Sequence, residues 1–473
     1  MISSDEEILI LRKENAKLSS ELSSLTATVN KLLEEISELK SRLNKNSSNS
    51  SKPPSTDIIR TKSLRVQSGK KQGGQSGHKG SRLNFVDNPD KVKIHEVSAC
   101  KGCGGDLHST MIQGYNRRQV FDIPPIRMEV TEHLCEIKCC PHCQMENTGS
   151  FPVEVSHSTQ YGNNLKRFCV YLSSFQMIPY NRCSQLIRDL TGMSPSEGTL
   201  VNFNNEFHDN LVSSGFEEDL KNKILASSVC YFDETGYYFD NNRNWLHVAA
   251  TEILTYFYPH EKRGRDAMDA MNLLPKYTGT AVHDHWSSYM DYDCNHSLCN
   301  THHLRDLAYC KEQENNEWAV SMIAMLLEMK KEVDECKERG MNSMEAERVI
   351  ALESNYDALV EKGYEQNPFP VREAGKRGKV KKTKSQNLIE RFKNHKEAVI
   401  RFVKDFKVPF GNNIAEQAIR MTKVKQKISG CFRSKEGAES FALARSYIDT
   451  IRKQGYNIME AIGLAISGKP IFA

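Results

Sequence analysis

The chain has 473 residues and a formal net charge of +4, so it is long enough for several domains, and its overall charge does not argue for a nucleic-acid partner. It contains no run of about 18 apolar residues and its amino terminus is polar, which argues against a membrane span and a secretory signal. Its fourteen cysteines, which include two C-x-x-C pairs, suit metal ligation in a reducing interior better than a disulfide framework. We therefore expect a soluble cytoplasmic protein with no membrane partner.

Residues 1–45 carry a heptad repeat with two seam positions. They hold Ile8, Asn15, Leu22, Val29, Ile36 and Leu43 at one position, and Leu11, Leu18, Leu25, Leu32 and Leu39 at the other. Five heptads with Leu at every d position predict a parallel two-stranded coiled coil, and one buried Asn would fix its register. A homodimer is therefore expected. The alternative is a single amphipathic helix lying on the body of the protein.

Residues 46–97 read as a basic, flexible linker, and the heptad repeat stops just before it at "NKNSSNSSKPPSTD", residues 44–57. Between Lys52 and Arg82 there are eight Lys or Arg residues and one acid, Asp57. A Gly-rich basic tract without apolar periodicity suits a phosphate backbone, and a solvated tail is the alternative.

Residues 98–150 contain two knuckles. Cys100 and Cys103 lie in "CKGCGG", and Cys140 and Cys143 lie in "CPHC". The segments "RRQVFDIPP" and "RMEVTEHLCEIKC" between them alternate like strands, so we predict a zinc ribbon in which four thiolates hold a structural Zn²⁺. Cys135 and Cys139 are competing ligands, and a set of reduced, buried cysteines is the alternative.

Residues 151–225 are predicted to be helical and resemble a helix-turn-helix at "NRCSQLIRDLTGMSPSEGTLVNF". Ser194, Pro195 and Glu197 form a candidate capping box at the second helix. That helix has no Lys or Arg through Leu211, which favours plain packing over direct reading of bases.

From residue 226 the pattern is strand, strand, strand, helix, strand, which is the start of an RNase H-like sheet whose first and fourth strands are neighbours. Asp233 lies in the first strand and Asp284 ends the fourth, so the two acids can face each other. Converging buried acids favour Mg²⁺ or Mn²⁺, and two such ions can hold both oxygens of a phosphoryl displacement. Asp291 and Asp293 are weaker candidates in a polar loop, and Glu234 is expected on the opposite strand face.

A third carboxylate is expected from the helix at "PFGNNIAEQAIRMTKVKQKISGCFR". Glu416 is the best-placed candidate, because Arg420, Lys423 and Lys427 follow on the same helical face. The alternative is that Asn413 is the N-cap and Glu416 only reaches back to cap the backbone. Spacing alone leaves both interpretations open.

The chain resembles transposases of the insertion-sequence-66 family from its zipper to its carboxy terminus. The motifs that carry the resemblance are, in the family's order, "NSSNSSKPPSTD", "GGQSGHKG", the paired knuckles, "FDETG", "HDHWSSY", "CNTHHLRDL", "VPFGNNIAEQAIRMTKVKQKISGCFRS" and "GAESFALARSYIDTIRKQG". The series is specific, although any one motif alone would be weak.

The resemblance implies a DDE catalytic domain with Asp233, Asp284 and Glu416 as its acidic triad. It also implies zinc at the knuckles and a helical insertion before the Glu. His285 replaces the small residue usual after the second Asp, and "GCFR" varies a more Lys- and Asn-rich tail. These departures bear on the activity of this copy and leave the carboxylates intact.

Two further groups of residues are candidates for binding. The tract 372–384 has seven cations and one acid, and its expected DNA-phosphate contacts, with a solvated loop as the alternative, are Lys376, Arg377, Lys379, Lys381 and Lys382. In "CNTHH", Cys299, His302 and His303 are candidate ligands of an extra metal, although two histidines on a short helix more often pack or contact a phosphate.

The predicted architecture is multidomain α+β. Its parts are the coiled coil 1–45, the linker 46–97, the zinc ribbon 98–150, the helix-turn-helix-like segment 151–225, the first part of the RNase H-like core 226–310, the helical insertion with its basic tract 311–385, the second part of the core with Glu416 at 386–440, and C-terminal helices 441–473.

The function implied is cut-and-paste DNA transposition, in which hydrolysis at each element end releases a 3′-hydroxyl that then attacks target DNA. The expected partners are the transposon ends, target DNA, a second copy of the chain and accessory proteins encoded by the element, with nucleoid association when DNA is bound. The alternatives are a catalytically inactive zinc-containing DNA-binding regulator and a structure-specific nuclease.

Overall fold

The computed structural model describes residues 4–43, 45, 83–370, 380 and 382–472. Within this part of the chain the α-helices are α1 Ser4–Leu43, α2 Asn163–Val170, α3 Tyr180–Thr191, α4 Glu197–Ser213, α5 Phe216–Leu225, α6 Arg265–Met271, α7 Asn300–Gln313, α8 Glu317–Glu338, α9 Ala346–Gln366, α10 Lys384–Asn394, α11 Lys396–Lys404, α12 Asn413–Ser429, α13 Lys435–Lys453 and α14 Ile458–Ile466. The strands are β1 Ile137–Cys139, β2 Glu146–Thr148, β3 Val229–Phe239, β4 Asn242–Ala250, β5 Thr255–His260, β6 Thr280–His283 and β7 Asn295–Leu298.

A mixed five-stranded sheet forms the centre of the molecule, in the order β5-β4-β3-β6-β7. The first three strands are antiparallel neighbours, whereas β6 runs parallel to β3, and β7 runs parallel to β6. The succession β3, β4, β5, α6, β6 and the pairing of the first strand with the fourth confirm the order predicted from the sequence. The strand β7 was not predicted.

The β3–β4 hairpin closes through the polar turn that the sequence indicates. Asp240 and Asn241 have φ values of 51° and 57°. Two consecutive residues with positive φ are typical of a type I′ turn, whose twist matches that of the paired strands, and Asp and Asn tolerate this conformation well. The turn therefore fixes the register of the long strand that carries Asp233.

The two faces of the sheet bury separate apolar cores. Tyr231 and Tyr237 of β3 face a core built with α7–α12, whereas Phe232 faces a core built with α2–α5, α13 and α14. Side chains alternate across a strand, so odd and even positions of β3 are directed into different cores. The sheet is thus covered on both faces.

Helices also cover both edges of the sheet. Ser446 and Thr450 of α13 accept hydrogen bonds from the backbone N–H groups of Phe257 and Thr255 in β5, at 2.8 and 3.0 Å. At the other edge Arg401 of α11 donates to the backbone oxygen of His296 in β7, at 2.8 Å. Unpaired backbone groups at an edge strand invite pairing with another chain, and here side chains satisfy them.

Several of the predicted domain limits fall within helices. The limits placed at 310/311, 385/386 and 440/441 fall inside α7, α10 and α13. The segment predicted as a separate helical unit, 151–225, contributes α2–α5 to one of the two cores of the sheet. The division into domains stays a prediction, and a limit inside a helix shows that composition also changes where a helix enters the core.

The second helix of the helix-turn-helix-like segment has its N-cap two residues later than predicted. Ser196 is the N-cap of α4, and its side chain accepts a hydrogen bond from the backbone N–H of Thr199. The capping box predicted at Ser194 is therefore wrong. Leu200, Phe203 and Phe207 of α4 are buried, which supports the packing interpretation of this helix.

The amino-terminal segment forms the single helix α1, and its seam side chains from Leu18 onward are exposed. Leu18, Leu25 and Leu32 have 61%, 64% and 52% of their surface accessible. This contradicts the alternative in which α1 lies on the body of the protein. Ile8 and Leu11 lie outside the residues whose side chains the structure describes.

None of the helices described by the structure combines the length and the apolar character needed to cross a bilayer.

Candidate active site

Asp233 and Asp284 occupy matching positions on neighbouring strands. In the parallel ladder between β3 and β6, Tyr231 pairs with Val282. Asp233 lies two residues beyond Tyr231, and Asp284 lies two residues beyond Val282. Equal offsets along parallel strands bring the two acids to the same level and the same face of the sheet. The structure thus brings these two predicted residues together.

One oxygen of each aspartate is held by a nearby backbone amide. The N–H of Glu234 donates to Oδ1 of Asp233 at 2.8 Å, and the N–H of Trp286 donates to Oδ1 of Asp284 at 2.9 Å. Such bonds orient a carboxylate while leaving its second oxygen for another partner.

The pKa of Asp233 lies well above its usual value. Burial is the largest cause, followed by the negative charges of Glu234, Asp284 and Glu416. Burial and like charges both disfavour the ionised form. Two acids that are distant in the sequence, Asp284 and Glu416, therefore act on Asp233 together with its neighbour Glu234, and the arrangement costs free energy unless a cation is present.

Glu234 lies on the other side of the strand from its neighbour, as predicted. Its side chain pairs with Arg263 at 2.7 Å and accepts a hydrogen bond from the Tyr289 hydroxyl at 2.5 Å. The Arg263 guanidinium in turn lies 3.5 Å from the centre of the Trp286 ring. A buried acid with a full set of partners is structural, so Glu234 fixes the turn that follows Asp284.

Glu416 lies in the first turn of α12, near enough for its charge to act on Asp233, and no side chain caps that helix in the described residues. The N-cap position belongs to Asn412, with no side-chain cap, so the prediction of Asn413 as the cap is wrong. The Asn412 side chain instead donates to the backbone oxygen of Phe232 at 2.7 Å, which ties the start of α12 to β3 beside Asp233. The sequence did not reveal this bond because it joins residues 180 positions apart.

The carboxylate of Glu416 is surrounded by cationic groups at distances too long for hydrogen bonds. Its oxygens lie 3.8 Å from Arg305, 3.9 Å from His302 and 3.7 Å from Arg420. Among the described residues, its buried Oε1 has no hydrogen-bond partner. A buried carboxylate oxygen without a partner is expensive, so this position is suited to a ligand that the protein itself does not supply.

Cys299 and His302 lie beside Glu416. Ligand atoms of the three residues lie within 4.8 Å of one another, and this is the one such cluster of potential metal ligands among the described residues. Burial raises the pKa of the Cys299 thiol, but His302 and the amide of Asn412 outweigh it, and the pKa falls below its usual value. His303, the other candidate, is buried against Asn300 and does not join the cluster.

The predicted DNA-contacting cations differ in their surroundings. Arg420 and Lys427 of α12 are exposed, whereas Lys423 donates to the backbone oxygen of Gly236 at 2.6 Å. This hydrogen bond joins α12 to β3 and revises the expectation that Lys423 is free for DNA. Lys382 pairs with Glu390. The remaining candidates lie outside the described residues: Lys376, Arg377, Lys379, Lys381 and the basic tract 52–82.

The two cysteine knuckles have the same backbone geometry. A β-bridge joins Ala99 to Asp106 around the first knuckle, and Cys139 pairs with Glu146 around the second. In each knuckle the two paired residues are seven positions apart, and the C-x-x-C turn starts at the residue that follows the first of them. Backbone N–H groups of Cys103 and Gly102 lower the pKa of Cys100, and those of Cys143 and His142 lower that of Cys140. Each knuckle is thus ready to present thiolates.

The sulfur atoms of the two knuckles do not form a metal-binding cluster in the described part of the chain. Among the described residues, no three of the four sulfur atoms of Cys100, Cys103, Cys140 and Cys143 lie within 4.8 Å of one another. The predicted strands across 117–135 are also absent, and only Ile137–Cys139 pairs, with Glu146–Thr148. Val120 is 90% exposed, so this segment buries too little apolar surface to form strands on its own.

Comparisons with known proteins agree with this site. Residues 158–440, more than half of the chain, match the model described as Transposase IS66 family, and residues 98–144 match the zinc-finger binding domain of transposase IS66. Residues 5–84 match a family of unknown function, DUF6444. No curated protein matches the chain.

The chain belongs to the IS66 family of transposases. Membership makes it a protein of the DNA-binding class with a zinc-finger domain that covers all four knuckle cysteines.

Sequence reasoning missed Arg305, and also the partnership of Glu234, Arg263 and Tyr289. Arg305 lies three positions after His302 in α7, so the same helical face carries both toward Glu416. That spacing was a usable signal. The Arg263 contact offers no such signal, because its partners lie on different elements.

Proposed function

We propose that the chain is a DNA transposase that cleaves phosphodiester bonds at transposon ends and joins the released 3′ ends to target DNA. The observation that carries the proposal is the register of β3 and β6, which sets Asp233 and Asp284 at the same level on neighbouring strands. The hydrogen bond from Asn412 to Phe232 ties the start of α12, and with it Glu416, to the same strand. Burial and the charges of Glu234, Asp284 and Glu416 raise the pKa of Asp233, which agrees with this arrangement. Family membership supports the same reaction class.

The donor set suits a hard divalent cation. Asp233, Asp284 and Glu416 offer carboxylate oxygens only, and the buried Oε1 of Glu416 has no hydrogen-bond partner among the described residues. Oxygen-only sets favour Mg²⁺ or Mn²⁺. When bound, a pair of such ions would stabilise the charge that develops on the attacking and leaving oxygens.

The chain's own residues have defined roles in this proposal. Asp233 and Asp284 would hold such ions, and Glu416 of α12 would supply the third carboxylate. Arg305 and Arg420, which flank Glu416 at 3.8 and 3.7 Å, are suited to hold phosphates of the bound DNA. Lys423 keeps α12 attached to β3 through Gly236.

The other regions serve assembly and DNA capture. We propose that Cys100, Cys103, Cys140 and Cys143 share one structural Zn²⁺ that joins the two similar knuckles. The exposed seam of α1, which includes Leu25 and Leu32, would pair with a second copy and so hold two element ends together.

An assay of cleavage and joining tests the proposal. Duplexes carrying the element's terminal sequences are incubated with the full chain, Mg²⁺ and a supercoiled target plasmid. A transposase releases a 3′-hydroxyl at the end and then produces joined plasmid products. A structure-specific nuclease would cleave without joining, and an inactive regulator would bind the duplex and do neither. Either of these outcomes contradicts the proposal.

A further inference from the structure

Glu416 also belongs to a second group of potential metal ligands, which does not include the aspartates. Cys299 occupies the position before α7, and His302 lies in the first turn of that helix. A spacing of three residues places both on one side of the helix. With Glu416 they form the cluster whose ligand atoms lie within 4.8 Å of one another.

The fold holds these elements together through backbone contacts. The N–H of Asn300 donates to the backbone oxygen of Phe410 at 3.0 Å, and the N–H of Asn412 donates to Sγ of Cys299 at 3.2 Å. Between them, a Cβ on Gly411 would lie 2.6 Å from Oγ1 of Thr301. Only glycine permits so close an approach, so the loop before α12 is fitted to the start of α7.

Two atoms of the cluster are buried without hydrogen-bond partners in the described part of the chain. They are Nδ1 of His302 and Oε1 of Glu416, which lie 3.9 Å apart. That separation is slightly beyond the spacing of about 3.3–3.8 Å expected between ligand atoms of a tetrahedral zinc with ordinary bond lengths. A small movement would therefore let one ion satisfy both atoms, together with the sulfur of Cys299.

We propose that Cys299, His302 and Glu416 form a site for a thiophilic divalent ion such as Zn²⁺, and that its occupation withholds Glu416 from the catalytic set of Asp233 and Asp284. A thiolate and an imidazole select zinc over magnesium, whereas the oxygen-only set selects magnesium or manganese. Glu416 is the one residue that both sets share. Its withdrawal would leave two acids for the catalytic ions.

The second half of this proposal rests on the proposed function, whereas the zinc site itself does not. With three protein ligands the site also leaves one coordination position open, so it should bind zinc less tightly than four thiolates do. Zinc would thus fill the ribbon first and this site at higher free concentration.

The zinc site is tested by counting zinc in the full-length chain after equilibration with excess free zinc. Wild type should bind one zinc more than Cys299→Ser. Cys294→Ser is the matched control, because Cys294 is a half-buried cysteine just before β7 that lies outside the cluster, and it should match wild type. His302→Ala supplies a second ligand variant should Cys299→Ser not fold. Equal zinc content in the wild type and a folded ligand variant would overturn the site.

The competition is tested by measuring Mn²⁺ binding, and the paramagnetic resonance signal of free Mn²⁺ is the readout. Loading wild type with zinc beyond the ribbon equivalent should weaken Mn²⁺ binding about tenfold, and Cys299→Ser should lose this effect. Equal weakening in both proteins would show that zinc acts elsewhere and would contradict the withholding of Glu416.

The two measurements separate the two proposals. Failure of the zinc-free protein to bind Mn²⁺ would contradict the proposed catalytic centre, and with it the competition. The zinc count would still decide the site at Cys299. If wild type and folded Cys299→Ser bind the same number of zinc ions while the zinc-free protein binds Mn²⁺ normally, the extra zinc site is excluded. The proposed function is then unaffected.

Discussion

The central sheet and the zinc-finger region both carry candidate metal ligands that are far apart in the sequence, but the two regions differ in what holds these residues in place. In the sheet, strand register and two apolar cores bring Asp233 and Asp284 to the same level. In the zinc-finger region each knuckle is formed by local hydrogen bonds, and the polypeptide between the knuckles is exposed. A folded core can thus hold charged groups together at a cost, whereas a segment without a core depends on the ion itself.

Removal of zinc should show this difference most strongly. A chelator should abolish amide protection across 98–150, because a structural zinc contributes about 10 kcal/mol to folding. The sheet should remain folded, and tryptophan fluorescence reports on it alone. Trp245 lies in β4, Trp318 lies in α8, and Trp286 lies in the turn after β6 and packs on a core of the sheet. Cys140→Ser should reproduce the effect, and Cys139→Ser, on the adjacent exposed strand residue, should not. Loss of the tryptophan fluorescence of the folded sheet on chelation would contradict the proposed difference between the sheet and the zinc-finger region.

Substitution of the acids should abolish the chemistry and leave the sheet intact. Asp233→Asn, Asp284→Asn and Glu416→Gln should each lower the cleavage rate at least about a thousandfold, since a catalytic ion supplies several kcal/mol of transition-state stabilisation. Asp291→Asn is the control, because Asp291 is exposed and lies 3.9 Å from Arg265. Retained cleavage in Glu416→Gln would show that the reaction does not need Glu416 and would contradict the three-acid site.

The proposed coiled coil would be a third kind of assembly, in which the exposed apolar residues of α1 pair with a second copy. Leu25→Lys with Leu32→Lys should convert a dimer into a monomer, because loss of each buried leucine costs about 3 kcal/mol. Light scattering of the full chain measures this. Ala27→Lys, which lies off the seam, should remain dimeric. A monomeric mass for the unaltered chain would refute the zipper.

The smallest effect concerns the pH dependence of the metal-free sheet. The pKa of Asp233 is raised, so the folded chain binds this proton more tightly than the unfolded chain does. Stability should therefore fall as pH rises above about 4, the usual carboxyl pKa, until the raised pKa is passed. Asp233→Asn should remove this part of the slope. In chelator, its melting temperature by tryptophan fluorescence should exceed that of wild type by more at pH 8 than at pH 5. The opposite trend would contradict the buried acid cluster.

Much of the sheet could be predicted, because its strands are apolar runs separated by polar turns. The pairing of β3 with β6 followed from topology, and it located Asp233 and Asp284 correctly beside each other. The strand β7 was missed because it has four residues, of which Asn295 and His296 are polar. It pairs with β6 through backbone groups, which leave no mark in the side-chain pattern.

The surroundings of Glu416 were the least predictable part of the site. Periodicity placed it near the start of a helix, but the true start depends on Asn412, whose side chain bonds across the molecule to Phe232. The convergence of Cys299 and His302 on Glu416 also depends on the loop at Gly411. Long-range contacts of this kind are set by packing, and sequence spacing alone does not reveal them.

The most direct test of the catalytic centre is an anomalous diffraction measurement on crystals of the full chain soaked in Mn²⁺. Two peaks about 3.5–4 Å apart, bound by Asp233, Asp284 and Glu416, are expected. Ordered side chains of these three residues with no Mn²⁺ peak between them, in crystals soaked to saturation and containing bound DNA, would contradict the account.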